Sequence, residues 1–324
     1  MSPISALPDA FLALSAACGK DPLRVQGPGG NTSIKVDRSL WIKASGTELA
    51  DALDKPIFVE VDHAIAHAEA KGSGDGTCRA AIVDPTAGLR PSIETTFHAL
   101  IPWRVVVHTH SVATIVHTIG PEGEKAAHEK LRGLPFVAVP YRKPGRPLTN
   151  VIAEAIDART QIVLLGNHGL IVAGDSVEDV AELMDEVERR LEMPVIGRHA
   201  PASTEPPAGF RWLDDAALAK NARLFALATG GSYYPDHVVF LGPGLPKAPT
   251  EGAPVCLIEN QGLAVRTDAT DAQAAMAQCV SDVLTRLPEE WSPAAIGAEA
   301  EAELLNWDAE KYRQALAARD NEAS

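Results

Sequence analysis

The chain has 324 residues, 46% of them hydrophobic and 22% charged, the composition of a soluble globular protein with a sizeable core. Acidic residues outnumber basic ones 43 to 29, for a formal net charge of -14, which argues against general nucleic-acid binding. The four cysteines form no CxxC pair, and no leader-like start or membrane-length apolar run is apparent, so a cytoplasmic, reducing setting is expected.

In chain order, Asp9 to Cys18 reads as a helix stopped by Gly19. A glycine-rich turn at Gly27-Pro-Gly-Gly30 then enters a β-like stretch to Val36, and Leu40 to Lys43 reads as a short strand. Thr47 is placed to cap the next helix. Ile57 to Val61 is a strand, Asp62 caps a helix to about Ala70, and Lys71 to Arg90 reads as a mobile loop. Ser92 to Leu100 is a helix with Glu94 in its first turns.

The run Arg104-Val-Val-Val-His-Thr-His110 reads as a buried strand, followed by a helix capped by Ser111 and ending near His117. Phe136 to Val139, Ile162 to Leu165 and Leu170 to Ala173 are further strands, and Ser176 starts an amphipathic helix to Leu191. The proline-rich stretch from Gly197 to Gly209 marks a boundary, giving domains 1–197 and 210–324. Beyond it come a helix near Asp214 to Ala228 and an apolar strand, His237 to Leu241. Interleaved strands and helices define an α/β protein.

An internal repeat is also visible. Ile162 to Asp175 aligns with Val255 to Asp268, pairing Asn167, Gly169 and Leu170 with Asn260, Gly262 and Leu263. His168 becomes Gln261 in the second copy, so a degenerate duplication without a metal of its own is expected there.

His108 and His110 are two apart on a strand and therefore share a face. His168 follows another apolar strand, with Gly166 and Gly169 leaving room around it. Three neutral imidazoles at strand ends suit a borderline-soft divalent ion with an open fourth position, and Glu94 is either a fourth ligand or a proton-transfer group beside it. Taken singly, a histidine at a strand end is more often a hydrogen-bonded residue than a ligand.

Five ordered motifs, Gly29-Gly-Asn-Thr-Ser33, Lys43-Ala-Ser-Gly-Thr47, Pro91-Ser-Ile-Glu94, His108-Thr-His110 and Asn167-His-Gly169, resemble those of the class II aldolase/adducin family. Pro91-Ser-Ile-Glu-Thr95 and Asp236-His-Val-Val-Phe-Leu-Gly-Pro243 further resemble the aldolase part of bifunctional rhamnulose-phosphate aldolase/dehydrogenases. The resemblance implies an αβα layered catalytic domain, with a smaller C-terminal α/β subdomain beyond it.

It also implies Zn2+ or another divalent transition metal on His108, His110, His168 and Glu94. Phosphate would lie against Gly30, Asn31, Ser45, Gly46 and Ser92, and Ile93 departs from relatives with a second serine there. Tyr141, in a proline-tyrosine motif, would either offer its hydroxyl to the pocket or pack as an ordinary aromatic. The implied function is retro-aldol cleavage of a ketose, as its 1-phosphate, through a metal-stabilised enediolate, by a homo-oligomer, tetrameric in the family. Alternatives are a decarboxylase or epimerase of a sugar acid or sugar phosphate, and an adducin-like non-enzymatic interaction module.

Overall fold

A computed structural model describes residues 7–197, 199–200 and 204–308. Seven strands form the main sheet: β1 (Asn31–Val36), β2 (Ser39–Lys43), β3 (Phe58–Asp62), β4 (Val105–Thr109), β5 (Phe136–Val139), β6 (Ile162–Leu165) and β7 (Gly169–Gly174). Their order is β3-β2-β1-β4-β7-β6-β5, antiparallel except for the parallel β5–β6 pair.

Period-two alternation splits the central strand between two helical layers. Val105 and Val107 face a core with α1 (Asp9–Lys20) and α7 (Val177–Leu191), through Phe11, Met184 and Val187. Val106 faces the other side, where α3 (Thr95–Leu100) and α6 (Arg146–Ala155) pack Phe97, Leu148 and Ile152 against it. Helices cover both faces, so the expected αβα layering is present. Helices α2 (His63–Ala70), α4 (Val112–Thr118) and α5 (Pro121–Lys130) complete this part.

A second, three-stranded sheet has the order β8-β10-β9, from Phe210–Trp212, Gly262–Arg266 and Val255–Ile258. Helices α8 (Ala217–Lys220), α9 (Ala222–Gly230), α10 (Pro235–Leu241) and α11 (Asp271–Leu284) surround it, and α12 (Ala298–Leu305) follows. Val112, Ile115, Val116 and Ile119, in or beside α4, enter the same apolar cluster as α10 and α11, so this smaller α/β unit is packed onto the larger one.

The aligned segments form the same hairpin. Leu165 pairs with Gly169 and Ile162 with Val172 in the first; Ile258 pairs with Gly262 and Val255 with Val265 in the second. Both turns place an asparagine in the left-handed region, Asn167 at φ 51° and Asn260 at φ 60°. Asparagine tolerates that conformation, which is why the two sequences match there. Gln261 takes the turn position that His168 takes in the first copy.

Several local expectations are corrected. His237 to Leu241 is not a strand but lies in α10, started by Pro235 and buried throughout. A short apolar run enclosed on all sides carries no period that separates a strand from a buried helix. The helix expected from Asp214 to Ala228 is divided at Asn221, whose side chain accepts from Leu224 N–H and starts α9 anew. Gly19 lies inside α1, which runs to Lys20.

Thr47 caps nothing, because its hydroxyl donates to Ala44 O at 2.9 Å, and only a short 3-10 turn follows at Leu49–Asp51. The Lys71–Arg90 segment holds two 3-10 turns. The Glu69 carboxylate anchors it by accepting from Gly76 and Cys78 N–H groups, both at 3.0 Å.

Candidate metal centre

Backbone pairing builds the site. The register of β1 on β4 puts Asn31 opposite His108, and β4 on β7 puts Thr109 opposite Leu170. Gly169 follows His168 at the mouth of the β6–β7 hairpin, and a Cβ on it would lie 2.2 Å from Thr109 O. Only glycine allows that approach, which carries His168 to the end of β4. The three rings consequently meet, with centroids 4.9 Å apart for His108–His168, 5.0 Å for His108–His110 and 5.2 Å for His110–His168. One nitrogen from each lies within 4.8 Å of the others, a donor set able to hold a divalent ion.

Glu94 stands at the N-cap position of α3 rather than inside the helix. Its Oε2 is 3.4 Å from His108 Nε2, and its Oε1 is 3.5 Å from His168 Nε2. His108 Nδ1 faces Leu170 O at 3.0 Å, so that ring's Nε2 is the atom aimed into the site. Both His108 Nε2 and Glu94 Oε1 are buried without a hydrogen-bond partner. Orphaned lone pairs at that depth are costly unless something electropositive sits between them, so these residues fit a metal ion.

Burial pushes the Glu94 carboxyl up, but His108, His168 and His110 facing it, with the Asn31 amide, hold it down at about 2. Burial pushes the His108 ring down to about 4 and the His168 ring down to about 3, against the pull of Glu94. Near neutral pH the carboxylate is ionised and these two rings are neutral, the state in which all three present lone pairs.

A small cavity of about 20 Å³, room for one ion or water, opens on this cluster. Gly30, Asn31, Ser45, Gly46 and Ser92 line it together with Glu94, His110 and His168. Apart from Tyr141, the sequence-selected residues therefore come together here, and Asn31 takes a different role from the one expected. Asn31 Nδ2 donates to Glu94 Oε2 at 2.8 Å and to Ser92 Oγ at 3.2 Å, so this side chain holds the glutamate. Tyr141 is half-buried and is not among the residues lining this cavity or the larger one beside it.

Three further residues were not selected from the sequence. Buried His98 faces Ser33 Oγ at 2.7 Å and also contacts Asn31 Oδ1, extending the support behind Glu94. Its place four residues after Glu94, about one helical turn along, is the one local signal for it in the sequence. Lys43 is buried at the cavity wall and donates to Pro28 O at 2.8 Å and Thr47 O at 2.6 Å, joining the two loops that bear Gly30 and Ser45. Asp236 Oδ2 is 3.2 Å from His110 Nδ1. Nothing in local spacing connects a residue beyond 230 to a strand ending at 109.

The family profile described as Class II Aldolase and Adducin N-terminal domain matches residues 20–195. The chain belongs to the class II aldolase/adducin family. It is 31% identical over 190 residues to an uncharacterized oxidoreductase, YuxG, of Bacillus subtilis, covering 49% of this chain and 25% of that protein. It is 30% identical over 122 residues to the 3-oxo-tetronate 4-phosphate decarboxylase of Escherichia coli, covering 33% of this chain and 56% of that enzyme. The chain thus spans between a quarter and just over half the length of these curated relatives.

Among solved structures, the N-terminal class II aldolase domain of a conserved protein from Thermoplasma acidophilum aligns with a TM-score of 0.50 and 27% identity. That alignment covers 56% of this chain and 91% of the other. No helix among the described residues is long and apolar enough to cross a membrane.

Proposed function

We propose that this protein is a metal-dependent aldolase that cleaves a ketose, as its 1-phosphate, into a three-carbon phosphate and an aldehyde. The observation that carries the reading is Glu94, buried with an unpartnered oxygen beside His108 and His168 and at the foot of a cavity lined by Gly30, Ser45, Gly46 and Ser92. His108, His110 and His168 would hold the ion, Zn2+ or another divalent transition metal, with Glu94 beside them. A bound ion supplies positive charge against which the electrons of the breaking carbon–carbon bond are stabilised.

Glu94 takes and returns the proton through its oxygens, kept in place by Asn31. Lys43 adds a fixed positive charge behind the turn and loop, giving an anion a local partner in an acidic protein. A ketose phosphate exceeds the small cavity, and its body fits the adjoining one of about 440 Å³, which shares Ser45, Ile93 and Pro144. Arg79, Arg90, Lys143 and Trp307 line that larger space, a combination suited to an anionic sugar.

We assign the catalytic domain to 1–197 and the C-terminal subdomain to 210–324; residues 1–6 and 309–324 of those limits lie outside the described residues. A cytoplasmic homo-oligomer belongs to the same proposal.

A second reading, decarboxylation of a phosphorylated sugar acid on the same residues, is favoured by the similarity to the decarboxylase. The first test is metal content of the purified protein against a His108→Ala, His110→Ala double variant. Near-stoichiometric metal lost in the variant supports the centre, and absence of metal after reconstitution sinks both readings. Aldehyde release from ketose 1-phosphates then selects the aldolase, whereas carbon dioxide from keto acids selects the decarboxylase.

A further inference from the structure

Asp236 belongs to the C-terminal unit, outside the segment that matches the family profile. It is nevertheless 2% exposed, lines the small cavity, and holds Oδ2 at 3.2 Å from Nδ1 of His110, itself 4% exposed. A Cβ on Gly29 would lie 2.8 Å from His110 Nδ1 and 3.1 Å from Asp236 Oδ2, so the glycine turn is fitted around this very pair. Asn167, next to His168, donates from Nδ2 to Tyr233 O and Ala294 O, both at 3.0 Å. The hairpin that carries one imidazole is thereby tied to the segment that delivers the carboxylate to another.

We infer that Asp236 is a positioning residue that fixes the ring orientation and tautomer of His110, so that the C-terminal unit completes the metal centre within one chain. The chemistry follows from the contact. A carboxylate at Nδ1 keeps the proton on that nitrogen, leaves the Nε2 lone pair for the ion, and makes the ring a better donor. Asparagine in its place can turn an N–H toward Nδ1 and favour the opposite tautomer. The inference rests on the proposed metal centre, but the state of the His110 ring can be read without any metal.

The experiment uses the full chain as wild type, Asp236→Asn and Asp236→Ala. Long-range nitrogen–proton NMR on metal-free protein reports which His110 nitrogen is protonated, and chelator competition with Zn2+ reports affinity. A proton on Nδ1 in wild type is expected, shifting toward Nε2 in Asp236→Asn, with Zn2+ bound about 10- to 100-fold more weakly in both variants. Unchanged affinity, or an Nε2 proton in wild type, overturns the role of Asp236. If wild type binds no Zn2+ yet shows the tautomer shift, the metal reading fails while the positioning contact stands. If a variant does not fold, the wild-type tautomer still decides.

Discussion

Replacing Glu188 with glutamine isolates one half-buried carboxylate and gives a stability difference that depends on pH in a definite direction. Glu188 lies on α7, where its Oε2 accepts from Ser111 Oγ at 3.0 Å while Oε1 is buried without a partner. Burial pushes this carboxyl up from an ordinary 4.5 to about 7, opposed by Ser111 and by nearby Arg24. The folded state therefore prefers the protonated form. Its contribution is fully present below about 4.5, declines as pH rises, and is lost once pH passes about 7. That displacement corresponds to about 3 kcal/mol.

Glutamine keeps an acceptor for Ser111 and never ionises, so titrations common to both proteins cancel in the difference between them. Urea unfolding of wild type and Glu188→Gln at pH 5, 6, 7 and 8 should show the variant gaining on wild type by up to about 3 kcal/mol across that range. The gain should be concentrated between pH 5 and 7. A difference constant with pH to within about 0.5 kcal/mol would show that water solvates the carboxylate, and the reasoning from its burial would be wrong.

Gly19→Ala should destabilise the protein by about 2 kcal/mol, although helix propensity alone predicts a gain of about 1, because the new Cβ would fall 2.1 Å from Ala50 N. A higher thermal midpoint in the variant would refute this. Ile93→Ser, at the junction of the two cavities, should tighten a phosphorylated ketose about tenfold by adding a donor to a charged group, read as a lower KM in aldehyde-release kinetics. An equal effect on the unphosphorylated sugar would place the phosphate elsewhere. Adding Zn2+ at about 100 times its Kd should stabilise wild type by about 3 kcal/mol, and His168→Ala should abolish most of that increment. Equal stabilisation of both proteins in calorimetry would remove His168 from the centre.

Much of the main sheet and its helices is written locally in the chain. Phe136–Val139 and Ile162–Leu165 are the strands expected from apolar runs between turns, and Asp62, Ser111 and Ser176 cap the helices as their side-chain chemistry dictates. The shared face of His108 and His110 follows from the two-residue period of a strand, and matching turn chemistry made the Asn167 and Asn260 hairpins recognisable as one design. These features depend on neighbours within a few residues, so sequence alone determines them.

Tertiary structure decided the rest. His237 to Leu241 is helical because Pro235 starts it and packing encloses it from every side, conditions that an apolar run does not encode. Asn31 serves Glu94 because the fold brings together two residues 63 positions apart, with the bridge of Ala44 to Pro91 holding the segment that leads into α3. Asp236 reaches His110 through packing of the C-terminal unit on α4, and His98 joins the site through the sheet face it covers. Such contacts leave no periodicity or spacing along the chain, since what brings the partners together is the burial of distant apolar surfaces.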